Sequence, residues 1–193
     1  MLLKMMSIFL LCFLLTSCSN QNPSNHTKQD EPPTPSQANT IVTPLLLSSY
    51  TTEIKTTDPD RYHNITLVRD RLNGYILRNG EEFSYNNVCG PYGPDDGFEE
   101  ATILLSNGEH DEGYGGGVCQ LSSTLYNAIK DLNIKITERH HHSAPVGYVP
   151  ENQDATISLS SGLDFKFINQ TGHDLQFQST STEDEITVEV YQI

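Results

Sequence analysis

A cysteine that follows a run of glycines is the side chain best suited to covalent chemistry in this sequence. Gly115–Gly117 leads into Val118 and Cys119, and the apolar stripe that starts at Val118 predicts a helix. Unpaired backbone N–H groups and the positive end of the helix dipole favour an anion at this point, so the Cys119 thiol should ionise readily. A thiolate is a nucleophile, and the same N–H groups could stabilise the oxyanion formed in acyl transfer.

Three consecutive histidines supply candidate bases for that nucleophile. Because side chains alternate in an extended segment, His140 and His142 are predicted to share one face while His141 points away. Asp154 follows shortly after, before a strand-like run, and could orient an imidazole. The predicted catalytic set is Cys119 as nucleophile, His142 or His140 as base and Asp154 as the orienting acid, with His142 favoured because it is nearer to the turn that returns to Asp154. The alternative for Asp154 is an ordinary turn residue.

Three other uses of these residues stay open. Cys89 and Cys119 are the only thiols beyond the N-terminal segment, and a disulfide between them is as consistent with the composition as a reactive thiol. A metal site would join the paired histidines to Cys119, His110 or Asp154, but no paired ligand spacing is present, so we expect neither a metal nor another cofactor. A phosphate-binding loop is disfavoured because Gly-Lys-Ser/Thr does not follow the glycines.

Hydrophobic periodicity predicts the elements that must position these side chains. One helix is opened by Asp58-Pro59 and closed by Gly74, a second runs from Val118 to Asn133, and the Asn107-Gly108 pair predicts a hairpin between them. The other predicted strands are residues 45–54, 83–86, 134–138, 156–159, 164–169, 175–178 and 186–192. This order predicts a single α+β domain over residues 45–193, with two main helices on mostly antiparallel strands.

The N-terminal segment predicts export and lipid attachment. An apolar run, Met5 to Leu15, is too short to span a bilayer and is typical of a signal peptide. It leads into Leu-Thr-Ser-Cys18, which resembles the bacterial lipobox, so we expect removal of residues 1–17 and a lipid on Cys18. An ordinary secretory signal with a chance cysteine is the alternative. Residues 18–44 are polar and proline-rich, which predicts an extended tether at the extracytoplasmic face of a bacterial cell membrane.

Composition and charge exclude several classes of protein. The chain has 193 residues, of which 36% are hydrophobic, and this excludes a collagenous, coiled-coil or fully disordered protein. Its 25 acidic and 11 basic side chains give a formal net charge of −14. Because neutralising phosphates requires clustered Lys and Arg, we expect no nucleic-acid partner.

Several of these segments together resemble the VanW domain family. The resemblance extends over about Leu45 to Gln178 and is strongest in Gly-Gly-Gly-Val-Cys-Gln-Leu-Ser-Ser-Thr-Leu-Tyr-Asn, residues 115–127. The other matching segments are residues 83–86, 97–101, 138–143, 148–150 and 154–156. Some members are understood as L,D-transpeptidases that use the Cys of this motif to cross-link peptidoglycan stem peptides. The resemblance therefore implies that Cys119 is the nucleophile, although His141 stands where the family usually has Pro and Cys89 where it usually has an aliphatic residue.

Together with the lipobox, the resemblance implies a lipoprotein whose domain transfers acyl groups between peptidoglycan stem peptides. Cys119 would attack a carbonyl of the donor stem, and the acyl group would then pass to the amine of a second stem. Arg139 is predicted to hold a stem carboxylate, with its pairing to a surface acid as the alternative. Further predicted substrate contacts lie around Cys119, and these are Gly116, Gly117, Gln120, Ser122, Ser123 and Tyr126. The rival function is a non-catalytic lipoprotein that binds wall peptides, which an inert Cys119 would favour.

Overall fold

The computed structural model describes residues 43–193, which form nine β-strands and three α-helices. In chain order these elements are β1 (Leu45–Glu53), α1 (Pro59–Leu72), β2 (Ile76–Leu77), β3 (Glu82–Ser84), α2 (Tyr85–Cys89), β4 (Glu100–Leu104), β5 (His110–Tyr114), α3 (Val118–Ile129), β6 (Ile134–Glu138), β7 (Lys166–Asn169), β8 (Leu175–Ser181) and β9 (Glu185–Gln192). The predicted signal peptide, Cys18 and nearly all of the predicted tether lie outside the described residues.

Three antiparallel sheets make up the β part of the domain. The largest has the strand order β1-β9-β8-β2, the second has the order β3-β7-β6, and β4 with β5 forms a separate hairpin. In β8 and β9 buried and partly exposed residues alternate, as expected for strands with one face on the core. Among residues 43–193, none of the helices combines the length and the apolar character that a membrane-spanning helix requires.

Helix α1 begins and ends where the sequence predicts. The Asp58 side chain accepts a hydrogen bond from the backbone N–H of Asp60 at 2.9 Å, and Pro59 occupies the first helical position. The helix packs against β8, β4 and α3. These contacts bring its N-terminal half beside the start of α3, where Cys119 lies.

The core is aromatic where the two larger sheets meet. Phe83 stacks on Phe167 with a ring-centroid distance of 4.7 Å, and Phe177 meets both rings edge to face. All three side chains are fully buried. Burial of such rings contributes about 1.5–3 kcal/mol each, so this cluster provides a rigid base for the helices.

The predicted α+β class is confirmed, and one predicted strand is wrong at its end. Tyr85 and Asn86 belong to the short helix α2 rather than to the strand of Phe83. The Ser84 hydroxyl accepts from the backbone N–H of Asn87 and so caps this additional helix.

Two other predicted elements differ in extent. Residues 156–159 form isolated bridges, Thr156 with His140 and Ser158 with Leu163, instead of a strand. Helix α3 ends at Ile129 rather than at Asn133, because a turn must precede β6.

Candidate active site

The glycine segment before Cys119 is shaped by close contact with β4. A Cβ atom at Gly116 would meet the carbonyl oxygen of Ala101 at 2.5 Å, and Gly117 has a φ of +106°. Glycine alone meets both requirements without strain. The segment therefore leads directly into α3, which begins at Val118 and has Cys119 as its second residue.

The surroundings of the Cys119 thiol disfavour its ionisation. Its Sγ donates a hydrogen bond to the carbonyl oxygen of Ile157, at an S–O distance of 3.5 Å. Burial raises the pKa of the Cys119 thiol, and the positive charge of Arg61 acts in the opposite direction without cancelling the effect. This raised pKa opposes the effect of the helix terminus, and the expectation that the thiol ionises readily stays a prediction.

The backbone beside the thiol keeps a hydrogen-bond donor free. In the first turn of α3, Val118 N–H donates to Gly115 and Gln120 N–H donates to Gly117. Within residues 43–193 the N–H of Cys119 has no acceptor. A substrate oxygen at this helix end would meet that donor and the positive end of the helix dipole.

The Asp154 carboxylate holds two neighbouring histidines. Its Oδ2 accepts from the backbone N–H of His142 at 2.6 Å and from His142 Nδ1 at 2.7 Å, and its Oδ1 accepts from His141 Nδ1 at 2.7 Å. Burial acts to raise the pKa of Asp154, but the hydrogen bonds from both histidines outweigh it and lower that pKa to about 2. Asp154 is therefore ionised at neutral pH.

His142 is left with one unoccupied ring nitrogen. Because an ionised carboxylate only accepts, the hydrogen-bond network assigns the proton of neutral His142 to Nδ1. Its Nε2 has no partner within residues 43–193, whereas Nε2 of His141 meets Arg139 at 3.2 Å. Burial lowers the pKa of His142, which keeps the ring neutral near pH 7. His142 thus has the protonation state and the free lone pair of a general base.

Two serines of α3 fix the segment that carries Asp154. Ser123 Oγ donates to the carbonyl oxygen of Cys119 at 2.8 Å and accepts from Ala155 N–H at 2.9 Å, and Ser122 Oγ donates to the carbonyl oxygen of Ala155. Both serines are fully buried and lie outside the cavity lining described below. These bonds show that the two serines hold the backbone around Ala155 in place. Their predicted contact with substrate stays a prediction.

An open cavity of about 1080 Å³ joins the candidate catalytic groups. Cys119 and His142 both line it, without a direct hydrogen bond between them in the described part of the chain. The glycines Gly116 and Gly117 and the side chain of Gln120 also contribute to the lining. Catalytic hydrogen bonds are often long before substrate binds, so the shared cavity is compatible with proton transfer between the two groups.

His140 does not share the face of His142. Its Nε2 lies 3.0 Å from Glu138 Oε1, and the ring is not part of the cavity lining. The regular alternation assumed in the sequence stops because β6 ends at Glu138, and Asp154 then takes the two following histidines, His141 and His142. The predicted grouping of His140 with His142 is therefore wrong.

Three predicted substrate contacts make strong contacts inside the protein. The Arg139 guanidinium lies 4.1 Å from the centre of the Tyr126 ring and donates to the carbonyl oxygen of Asp154 at 2.8 Å. Neither Arg139 nor Tyr126 lines the cavity. Gln120 does, but its buried amide donates to the carbonyl oxygen of Glu53 at 2.9 Å and so ties α3 to β1. Binding of substrate by these side chains stays a prediction.

The disulfide alternative fails in this structure. Cys89 and Cys119 are both free thiols, and Cys89 is fully buried in the core, with its Sγ facing the carbonyl oxygen of Val68.

The metal alternative finds no support in the part of the chain that the structure describes, where no group of three His, Cys, Asp or Glu side chains has the geometry to hold an ion. His110, a suggested ligand, lines the cavity at the end of the hairpin.

Sequence reasoning missed several residues that surround the thiol. Arg61 and Tyr148 line the cavity, and Thr156 Oγ1 is a buried side-chain oxygen without a partner among the described residues. Burial raises the pKa of the Tyr148 hydroxyl, with a further contribution from Cys119. Arg61 lies in α1, and the other two residues lie in irregular segments. In neither case does the spacing along the sequence indicate that the side chain lies near Cys119.

Comparisons with known proteins identify relatives over most of the domain. A family model described as VanW like protein matches residues 60–191. The uncharacterized protein YoaR of Bacillus subtilis (strain 168) is 40% identical over 124 residues, which cover 64% of this chain and 40% of that protein. The vancomycin B-type resistance protein VanW of Enterococcus faecalis (strain ATCC 700802 / V583) is 26% identical over 137 residues, which cover 68% of this chain and 49% of that protein.

The chain spans less than half the length of these two curated relatives. No solved structure matches it. The matched range contains the glycine segment, Cys119, the three histidines and Asp154, together with all of α1 except its first residue. Because the family model covers well over half of the residues, the chain belongs to the VanW-like protein family.

Proposed function

We propose that this domain is a cysteine acyltransferase that acts on peptidoglycan stem peptides, as an L,D-transpeptidase. Membership in the VanW-like family suggests a role related to the cell wall, and one relative is named as a vancomycin resistance protein. The observation that carries the finer proposal is a thiol, Cys119, in one cavity with an imidazole, His142, whose tautomer is fixed by a buried carboxylate, Asp154.

The proposed reaction uses a neutral thiol and a general base. His142 Nε2 takes the thiol proton as Cys119 Sγ attacks the carbonyl carbon of the donor stem's L-centre, and a tetrahedral oxyanion forms. The bond to the terminal D-residue then breaks, and its amine leaves with the proton returned by His142. The product of this half is a thioester on Cys119.

The second half reverses these roles. The side-chain amine of another stem attacks the thioester, gives its proton to His142, and expels Cys119, which regains a proton. The free N–H of Cys119 supports both halves, because it can donate to the oxyanion at the end of α3. If water replaces the amine as acceptor, the same site acts as a carboxypeptidase.

The proposal includes a location for this chemistry. A lipid on Cys18 would hold the domain at the extracytoplasmic face of the membrane, within reach of the wall through residues 18–44. Cys18→Ala should release the protein from membranes or block its processing. Normal cleavage together with unchanged membrane retention would contradict the lipid anchor.

The decisive experiment follows the thioester directly. The purified domain is incubated with a synthetic stem tetrapeptide, and the intact protein mass is recorded during the first turnover. Wild type should gain the mass of the acyl tripeptide, Cys119→Ser should not, and Cys89→Ser, the matched control at the buried thiol, should react like wild type. Muropeptide analysis with an added acceptor stem then reports the cross-link.

A second candidate function is non-catalytic binding of wall peptides, and the raised pKa of Cys119 favours it. In that case the tetrapeptide binds in the cavity but no acyl-protein forms, and Cys119→Ser binds as well as wild type.

A further inference from the structure

Arg61 is a cation without an anion in the wall of the candidate active site. It lies in the first turn of α1, lines the cavity with Cys119 and His142, and is partly buried. One guanidinium nitrogen, Nη1, donates to the carbonyl oxygen of Thr102 at 3.2 Å. No carboxylate within residues 43–193 lies at ion-pair distance from this side chain.

The other four arginines of residues 43–193 are either bonded within the protein or exposed to solvent. Arg69 is paired with Asp70 at 2.6 Å, and Arg71 donates to three backbone carbonyl groups. Arg139 donates to the carbonyl oxygens of Asn152 and Asp154 and stacks on a tyrosine ring. Arg78 has no ion-pair partner within residues 43–193 either, but it is exposed to solvent and does not line the cavity.

The remaining fixed charges of the cavity do not neutralise Arg61. Lys55 and Glu53 form their own exposed pair at 2.8 Å. The Asp96 carboxylate faces the backbone N–H of Gly93. Four of the five guanidinium N–H donors of Arg61 therefore remain for a ligand, in a fork that matches a carboxylate.

Packing fixes this guanidinium beside the nucleophile. A Cβ atom at Gly117, two residues before Cys119, would meet Arg61 Cγ at 3.0 Å and the carbonyl oxygen of Arg61 at 3.2 Å. The positive charge is also felt at the Cys119 thiol, where it lowers the pKa against the dominant effect of burial. The Arg61 side chain thus runs beside the glycine segment that leads to Cys119, in the wall of the cavity that an acyl donor would enter.

We infer that Arg61 binds the free terminal carboxylate of the donor peptide, and so selects peptides in which the scissile bond is the last one. This inference rests on the proposed acyl-transfer function and adds its substrate class. In L,D-transfer the leaving D-residue carries its α-carboxylate one carbon away from the scissile nitrogen, so a cation beside Cys119 would meet it. A bidentate, charge-assisted pair of this kind would orient the donor and exclude internal peptide bonds.

The test uses two tetrapeptides that differ only at the C-terminus, one with a free carboxylate and the other with a carboxamide. Wild type should form the acyl-protein at least about tenfold faster with the acid, because a charge-assisted hydrogen bond is lost with the amide. Arg61→Gln should react with both peptides at the slow amide rate, and Arg61→Lys should recover part of the preference. Arg78→Gln, which removes the same charge on the exposed surface, should behave as wild type.

Binding to the Cys119→Ser variant separates this inference from the proposed function. Calorimetric titration should show tighter binding of the acid than of the amide, and Arg61→Gln in the same background should abolish the difference. Equal binding of the two peptides, or a preference that survives Arg61→Gln, would overturn the assignment of Arg61. If wild type forms no acyl-protein while the binding preference holds, the acyl-transfer function fails and the carboxylate site stands.

Discussion

Replacing Asp154 by Asn tests the arrangement of the site most directly. The carboxylate accepts three hydrogen bonds from His141 and His142, and its side chain is only 10% exposed. Its pKa falls from 3.8 in the unfolded chain to about 2 in the fold, which corresponds to about 2 kcal/mol of folding free energy at neutral pH. Asp154→Asn should therefore lower the melting temperature by roughly 4–8 °C.

The pH dependence of this stability has a definite sign. Because the pKa of Asp154 is lower in the folded state, its contribution is complete above about pH 4 and is lost as the pH falls towards 2. Wild type should lose stability steeply in that window, and Asp154→Asn should lose less. Thermal unfolding followed by circular dichroism at several pH values measures both curves, with Asp131→Asn as a control at an exposed carboxylate.

The effect on the reaction should exceed the effect on stability. The amide of Asn has one acceptor oxygen, and its NH₂ group cannot accept from His142 Nδ1, so the imidazole is free to adopt the tautomer with the proton on Nε2. That tautomer has no lone pair facing the cavity, and the acylation rate should fall about 10³–10⁴-fold. Rates come from intact-mass measurements during the first turnover. If Asp154→Asn, still folded, acylates within about threefold of wild type, Asp154 does not set the tautomer of the base.

Three further outcomes follow from the same geometry. His142→Ala should slow acylation by about 10²–10⁴-fold because the base is lost. His140→Ala should stay within about threefold of wild type, because its ring lies outside the cavity. The same mass assay compares the two variants, and the reverse result would exchange their roles. In wild type the acylation rate should decline only below pH 6.5, because burial lowers the pKa of His142; a midpoint above 6.5 in the pH–rate profile would contradict this. Cys89→Ser should reduce the free energy of unfolding by about 1–3 kcal/mol, measured by urea titration, because the substitution buries a hydroxyl group. If a reductant lowers the stability of wild type, Cys89 forms a disulfide instead.

Elements with strong local signals were predicted well from the sequence. Asp58-Pro59 marked the start of α1, and Asn107-Gly108 marked the hairpin of β4 and β5. Both signals act through nearby backbone geometry, so no knowledge of the tertiary structure is needed to interpret them. The pairing of His142 with Asp154 was also anticipated, since a short return of the chain brings the two residues together.

The missing parts of the site depend on contacts between distant segments. Arg61 enters the cavity only because α1 packs beside the first turn of α3, and nothing in the spacing of its own helix indicates this. The strand predicted over residues 156–159 is reduced to two isolated bridges. The residue just before it, Ala155, is bonded through its backbone N–H to Ser123 of α3. Side-chain bonds of this kind override local propensity, and they decided which histidines face the cavity.

The balance of effects at Cys119 explains why the proposed reaction requires a base. A helix N-terminus stabilises a negative charge by about 0.3–1 kcal/mol, up to about 2 kcal/mol in a partly buried site, and Arg61 adds to this. Burial acts in the opposite direction and raises the pKa of the Cys119 thiol, and the charge of Arg61 does not cancel that effect. In the proposed reaction the thiol would therefore reach the substrate with its proton, which would leave during the attack. A neutral imidazole with a free Nε2 can take it, and Asp154 keeps His142 in that form, so the carboxylate–imidazole pair, more than the helix end, is what would activate this cysteine.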